Sequence, residues 1–176
     1  MPSVLGIDPG KNGAAVFITA DHSVDSWIRF GNTSWTDFDK FLSRLSRTPT
    51  SKATIEKVNG RPGDTPLTAF QFGRSVGAME AILLLHGLGH ETVQPQVWQR
   101  EFGLGNIASY GDRQRAYQAS AQAYFPHIKV TQDLGAAILI AEYAWRKVNG
   151  QLRETPIHDG GKRGDGVVGK SSVRRR

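Results

Sequence analysis

The sequence predicts an α/β fold in which a mixed five-stranded sheet is flanked by helices. Short apolar segments typical of buried strands alternate with longer segments whose apolar residues recur at helical spacing. The first predicted strand, residues 4–7, ends at Asp8-Pro9-Gly10, a combination that stops a strand and turns the chain. Asp8 is therefore expected at the end of a central strand, which is a rigid place for a carboxylate.

The other elements follow in chain order. The Asn12-Gly13 pair favours a hairpin between the first strand and the second. Ser34 and Asp37 have the spacing of a capping box and begin a helix that ends before Pro49. Asp112 is expected to cap a helix that runs to residue 125. The remaining strands are predicted at 13–19, 26–30, 53–58 and 92–94, and the remaining helices at 67–85, 95–102 and 132–148.

Length and composition predict one domain over residues 1–148 and a basic, disordered tail over residues 149–176. The formal charge of +6 and the pI of about 9.8 favour a polyanionic partner such as nucleic acid. The absence of Cys excludes thiol chemistry, disulfides and Cys-ligated zinc. No apolar run approaches the roughly 18 residues of a membrane span, and no signal-peptide pattern begins the chain. We therefore expect a cytoplasmic or organellar protein that is not secreted.

Three acids stand at element ends or in apolar surroundings. Asp8 ends the first strand, Glu56 lies between Ile55 and Val58 in an apolar strand, and Asp133 lies in the first turn of the last helix. A carboxylate in an apolar strand is costly unless it is paired or binds a cation. Such acids suit Mg²⁺, which takes oxygen ligands, and two such ions can promote phosphodiester cleavage. Taken alone, Asp8 is also compatible with a simple turn, and Glu56 with an edge strand facing water.

Four motifs in order resemble the RuvC-type Holliday junction resolvases of the RNase H-like superfamily, more their phage and organellar branches than the typical bacterial enzyme. The resemblance covers about residues 4–146. The first three motifs are Gly6-Ile7-Asp8-Pro9-Gly10, Ile55-Glu56-Lys57-Val58 and Phe70-Gln71-Phe72-Gly73. The fourth is Ala137-Ile138-Leu139-Ile140-Ala141-Glu142-Tyr143 in the last helix, similar to the family's A-L-L-I-A-x-Y ending. The resemblance implies an RNase H-like fold.

The resemblance also implies four metal-binding carboxylates, with Mg²⁺ as cofactor and Mn²⁺ as its substitute. Asp8, Glu56 and Asp133 match the first three, but the fourth position is occupied by Ala136, which cannot bind a metal. This chain is either a homologue that has lost an acid or an engineered inactive variant, and we favour the second. Glu142 is a poor replacement, because it lies six residues beyond Ala136 and about 9 Å further along the helix axis.

By the same resemblance, the protein is expected to be a homodimer that binds a four-way junction and nicks two strands symmetrically. Lys57, beside the metal site, is expected to contact the scissile phosphate. The other candidate DNA-binding residues are Arg61, Phe70, Phe72, Arg74, Arg113 and Arg115. Core packing is an equal alternative for the two phenylalanines, and a solvated helix face for Arg113. The helix at 67–85 contains many small residues and can pack on the sheet or on a second copy.

Three other functions compete with a resolvase. The first is a junction-binding protein without catalysis, which the alanine at position 136 favours. The second is another RNase H-like nuclease that acts on RNA–DNA hybrids or on branched DNA such as flaps. The third is an actin-like phosphotransferase, since those folds also begin with a strand, an Asp and a glycine turn. The sequence shows no second glycine-rich phosphate loop, so the third alternative is weak.

Overall fold

A computed structural model describes residues 1–31, 33–45, 50–58 and 63–153. The predicted DNA-binding residue Arg61 and residues 154–176 of the predicted tail lie outside this part of the chain. Residues 149–153 are described, and they pack on the domain: Leu152 contacts the core, and the backbone N–H of Arg153 donates to Glu101 Oε2 at 3.2 Å. Residues 149–153, which were predicted as part of the tail, therefore belong to the domain surface. A tail over residues 154–176 stays a prediction.

The sheet is mixed and has five strands, as predicted, and the strand order is β3-β2-β1-β4-β5. β2 runs antiparallel to β1 and β3, whereas β1, β4 and β5 are parallel. β1 is therefore the central strand, and its carboxyl end lies beside that of β4. The strands are β1 Ser3–Asp8, β2 Ala14–Ile18, β3 Val24–Arg29, β4 Thr50–Glu56 and β5 His90–Val93.

Helices cover both faces of the sheet. The helices are α1 Trp35–Leu45, α2 Pro66–Leu85, α3 Pro95–Glu101, α4 Tyr110–Tyr124 and α5 Gln132–Val148. Alternate residues of β1 enter different cores: Leu5 and Ile7 pack with α1 and α2, whereas Val4 packs with α3, α4 and α5. Asp8 follows Ile7 and therefore faces the side of α4 and α5.

Most predicted elements are present, with shifted ends. β3 and β5 begin two residues earlier than predicted, because each extends a ladder with its neighbour that sequence patterns do not reveal. The prediction that Asp112 caps α4 is wrong: Ser109 is the cap and accepts from the N–H of Asp112. The capping box at α1 is confirmed, because the N–H of Asp37 donates to Ser34 Oγ and the N–H of Ser34 donates to Asp37 Oδ2. Hydrogen bonds from the Ser34 side chain and backbone also hold the pKa of Asp37 below its usual value.

Helix α5 approaches β1 so closely that its backbone leaves no room for a side chain at Gly6. A Cβ atom built on Gly6 would lie 2.2 Å from the backbone nitrogen of Ala141 and 2.4 Å from its Cα. Gly135 plays the same part between α5 and α4, where a Cβ would lie 2.8 Å from the backbone nitrogen of Gln118. α5 is thus fixed against the central strand and against α4 through backbone contacts that only glycine permits.

Substitution of Gly6 by alanine is expected to destabilise the fold strongly. The new methyl would meet backbone atoms of α5, which cannot rotate away, so we expect a loss of about 3 kcal/mol or more. The matched control is Gly105→Ala, because nothing lies within 4 Å of a Cβ at that exposed glycine. Urea unfolding of both variants measures the difference. Equal midpoints would contradict the described packing of α5 on β1.

Candidate functional site

Asp8 and Glu56 lie side by side at the ends of the two central parallel strands. Ile7 pairs with Ile55, so the next residue of each strand is level with the other, one strand spacing of about 4.8 Å apart. The backbone N–H of Gly10 donates to Asp8 Oδ1 at 3.2 Å, and Trp98 Nε1 donates to Glu56 Oε1 at 3.0 Å. Two half-buried carboxylates are therefore held in fixed orientation on the α4 and α5 side of the sheet.

Helix α4 brings Tyr117 and Arg113 to the same region. Burial raises the pKa of Tyr117 to about 12; the negative charges of Glu56 and Asp8 add to this rise, and Arg113 opposes it. Gln99 Nε2 donates to the Tyr117 hydroxyl at 2.7 Å, and the Tyr117 ring lies 5.0 Å from that of Trp98. Tyr117 therefore remains a neutral phenol beside the two carboxylates, with a half-buried arginine one helical turn away.

Asp133 lies in the first turn of α5, as predicted, and is bound by an arginine. Arg29 Nε pairs with Asp133 Oδ2, and the same guanidinium donates to Thr131 Oγ1 at 3.1 Å. Within the described residues, no three His, Cys, Asp or Glu side chains lie close enough to hold a metal ion. Asp133 is therefore not gathered with Asp8 and Glu56 into one set of ligands here.

Ala136 lies one turn beyond Asp133, and only 5% of its surface is exposed. Glu142, further along the same helix, is occupied elsewhere. Its carboxylate contacts His22 Nε2 at 2.6 Å and Arg146 Nε at 2.7 Å. These contacts lie towards the C-terminal end of α5, whereas Asp133 and Ala136 lie near its N-terminal end. Glu142 therefore does not replace a carboxylate at position 136.

The candidate DNA-binding residues differ in accessibility. Lys57 and Arg74 are exposed, and Arg113 is half-buried. Arg115 is exposed and bonds to Asp112 Oδ1 at 2.5 Å. Phe70 is 66% exposed, which argues against core packing. Phe72 is half-buried and lines a cavity of about 240 Å³ together with Val58 at the end of β4.

Helix α2 presents an apolar face to solvent. Phe70, Gly73, Gly77 and Leu84 follow at spacings of three, four and seven residues, so they share one face of the helix. Phe70 and Leu84 are 66% and 61% exposed, and nothing lies within 4 Å of a Cβ at either glycine. Only Met79 and Leu83 of this helix are buried in the chain's own core. We call the four residues the α2 stripe.

The fold is that of solved RuvC structures, although the sequence is distant. The structure is similar to that of Thermus thermophilus RuvC, with a TM-score of 0.58 at 14% identity over 86% of this chain and 98% of that chain. It is also similar to T. thermophilus RuvC in complex with a Holliday junction substrate, with a TM-score of 0.60 at 12% identity over 87% and 99%. The chain has the RuvC fold. No protein-family model and no curated protein matches the sequence.

The RuvC fold confirms the α/β, RNase H-like prediction over nearly the whole described chain. Within the described residues, no helix is long and apolar enough to cross a membrane. No sequence pattern marks Trp98, Tyr117 or Arg29 as neighbours of the candidate acids. Arg29 follows Trp27 and Ile28 in a predicted strand, and this local pattern does not reveal that Asp133 lies opposite.

Substitution of Tyr117 by phenylalanine is expected to change how stability depends on pH. In the unfolded chain the phenol ionises near its ordinary value of 10.0, and in the folded chain at about 12. The contribution of Tyr117 to the free energy of unfolding is therefore complete below about pH 10 and is lost as the pH rises towards 12. Urea unfolding between pH 9 and 11 should show a smaller decrease in the free energy of unfolding for Tyr117→Phe than for the unaltered chain. Tyr110→Phe, at a residue 63% exposed, should leave the loss unchanged, and equal curves for all three would contradict the assignment.

Proposed function

We propose that the protein is a metal-dependent endonuclease that binds four-way DNA junctions as a homodimer, and that this chain cleaves them weakly. The observation that carries the proposal is the pair of level carboxylates, Asp8 and Glu56, at the central strand ends of a RuvC fold. The structural neighbour with a Holliday junction substrate supplies the substrate class. The positive net charge of +6 agrees with a polyanionic ligand.

The residues present fit one hard cation. Mg²⁺ is commonly bound by one or two carboxylates, with waters and substrate phosphates completing its shell. Asp8 and Glu56 supply two carboxylates, and the N–H groups of Gly10 and Trp98 hold them in orientation, as groups behind metal ligands commonly do. A second cation would need Asp133, which is paired with Arg29, and an acid where Ala136 stands.

Bound Mg²⁺ would supply charge stabilisation at the scissile phosphodiester and a water of lowered pKa. The chain's own residues would position the DNA strand. Lys57 follows Glu56 directly, and its backbone N–H donates to Val93 O at 2.7 Å, which fixes its Cα beside the site. Its exposed ammonium and the Arg113 guanidinium are placed to bind phosphate oxygens, while Tyr117 stays uncharged and does not repel them.

A cleavage and gel-shift assay on a synthetic four-way junction beside a matched duplex tests the function. We expect preferential binding of the junction, with slow symmetric nicking in Mg²⁺ and in Mn²⁺. Equal binding of junction and duplex would overturn the junction assignment. Faster cleavage of an RNA–DNA hybrid or a flap would favour the second nuclease alternative. Junction binding without cleavage in any variant would favour the non-catalytic protein, which the arginine-bound Asp133 and Ala136 support.

Restoring an acid by Ala136→Asp is expected to make the melting temperature depend on divalent metal and to increase metal-dependent junction cleavage. A carboxylate at this nearly buried position costs about 1–3 kcal/mol without a cation. The melting temperature should therefore fall by roughly 3–8 °C in EDTA. Addition of Mg²⁺ or Mn²⁺ should restore it, and junction cleavage should rise on the order of 10²-fold or more.

The matched control is Ala144→Asp, at a buried alanine of α5 about two turns further along the helix. It should lose stability without recovery in divalent metal, because about 12 Å of helix separates it from position 136. Identical metal responses of the two variants would mean that position 136 is not a ligand position.

The homodimer is proposed from the α2 stripe. Apolar surface that a monomer leaves exposed commonly marks an interface, and two small residues at i and i+4 allow two helices to approach closely. A two-fold axis through this helix would place two copies of the site in one assembly, as symmetric nicking of a junction requires. Phe70 begins the stripe, so its predicted contact with DNA and a contact at the interface edge compete for the same ring.

Leu84→Glu is expected to convert the dimer to monomer, because it places a charge in a desolvated apolar contact. Sedimentation velocity at micromolar concentration, with and without junction DNA, measures the change. The control is Val97→Glu on α3, since Val97 is a similarly exposed apolar residue at 46%. A monomeric unaltered chain, or a dimer that both variants retain, would contradict the α2 interface.

A further inference from the structure

A cavity of about 490 Å³ opens at the edge of the sheet beside Asp133. Its volume lies in the range of about 300–1,000 Å³ that is typical of small-ligand sites. An aromatic ring, a guanidinium, a carboxylate and polar loop atoms line it. The lining residues are Asn12, Gly13, Trp27, Ile28, Arg29, Gly31, Thr33 and Asp133.

Trp27 and Arg29 project from the same face of edge strand β3. They pair with Val16 and Ala14 of β2, whose side chains enter the core with α5. Helix α5 covers β1 and β2, so the outer strand keeps a ring that is 37% exposed and a guanidinium that is 46% exposed. An aromatic face beside a cation is the combination that binds single nucleotides, through base stacking and a phosphate contact.

The Arg29 guanidinium is oriented and still has donors to spare. It carries five N–H donors, and its described contacts are Nε to Asp133 and one terminal nitrogen to Thr131. These two contacts therefore fix the plane of the guanidinium, and three of its five N–H donors have no described partner. A phosphate oxygen can accept from these donors while both contacts remain.

The cavity is close enough to the carboxylate pair to receive the same DNA strand. Asp8 pairs with Ala14, and Ala14 pairs with Arg29, so the three lie in one row across the sheet. Two strand spacings separate Asp8 from Arg29, about 10 Å. Stacked nucleotides advance about 3.4 Å along one strand, so the cavity lies at most about three nucleotides from a phosphate at Asp8.

We propose that this cavity is a subsite for one nucleotide of the cleaved strand, with its base on Trp27 and its phosphate on Arg29. The identity of the strand rests on the proposed function, whereas the cavity and its two side chains do not. The subsite fixes which phosphate lies at Asp8 and Glu56. It is distinct from the exposed phenylalanine of α2, which lies on the opposite side of the sheet.

Photo-cross-linking tests the base contact. A set of junctions, each with a single 5-iododeoxyuridine at successive positions around the crossover, is irradiated with the protein and mapped by mass spectrometry. We expect cross-links at Trp27 from one or two adjacent positions. Trp27→Ala should abolish them and weaken junction binding on the order of 10-fold, while Trp27→Phe retains most of the affinity. Trp35→Ala, at a tryptophan 42% exposed on α1, should change neither.

A double-mutant comparison in EDTA tests the phosphate contact. Arg29→Gln should weaken binding and lower the salt slope by about one, as loss of one phosphate contact does. It also frees the Asp133 charge, so Asp133→Asn and the double variant are measured beside it. A phosphate contact requires the double variant to bind more weakly than Asp133→Asn, with the lower slope. Equal affinities of those two would show that Arg29 only neutralises Asp133, and would overturn this contact.

The outcomes separate the subsite from the proposed function. Preferential junction binding with cross-links elsewhere, and unchanged affinity of Trp27→Ala, would overturn the subsite and leave the function intact. Failure to distinguish junction from duplex would overturn the function. In that case, cross-linking to the junction or to the duplex still tests the subsite. An adduct at Trp27 supports the subsite, and the absence of this adduct overturns the subsite.

Discussion

The backbone contact between α5 and β1 determines where Asp133 and position 136 lie relative to Asp8. Gly6 lets the helix backbone reach the central strand, so residues 134–145 of α5 are buried from end to end. Asp8 lies two residues beyond Gly6 on the strand, and Asp133 lies two turns before Ala141 on the helix. A side chain at Gly6 would separate the sheet from the helix and move Asp133 and position 136 away from Asp8. Core packing therefore sets the positions of these residues, and their polar contacts set the orientation of the side chains.

A second, buried constraint holds the other end of α5. Glu142 is 2% exposed and is paired with Arg146 and His22, and Arg146 also bonds to Glu101 and lies over the rings of Phe102 and Tyr124. Burial alone would lower the pKa of Arg146, but hydrogen bonds to Glu142 and Glu101 outweigh it and raise the pKa. His22 adopts a φ of 65°, which is costly for a side chain other than glycine. Its ring is tilted against that of Trp145, with the centroids 4.2 Å apart, and its Nε2 contacts Glu142 at 2.6 Å; these contacts hold the strained turn.

The sequence predicted what depends on local patterns and missed what depends on contacts between distant segments. Period-two and helical patterns, Pro and Gly positions and the Ser34 cap predicted the element types and the sheet class. The acid at the end of β1 and the acid in the apolar strand β4 were found because each breaks a local pattern. Trp98, Tyr117 and Arg29 were not found, because the carboxylates they meet lie 42 to 109 positions away and nothing local distinguishes them. Only strand pairing and helix packing bring them to the carboxylates.

In the proposed nuclease, the pairing of Arg29 with Asp133 lowers the negative charge that a DNA strand would meet. Without a cation, carboxylates at Asp8, Glu56 and Asp133 would all repel a DNA backbone. Arg29 offsets the charge of Asp133 from β3, and Arg113 on α4 acts on Tyr117 in the opposite sense to Glu56 and Asp8. A cation at Asp133 would have to compete with the guanidinium that is already in contact with it. This pairing therefore agrees with the proposal of one cation at Asp8 and Glu56, and with the alanine one turn beyond Asp133 on the helix.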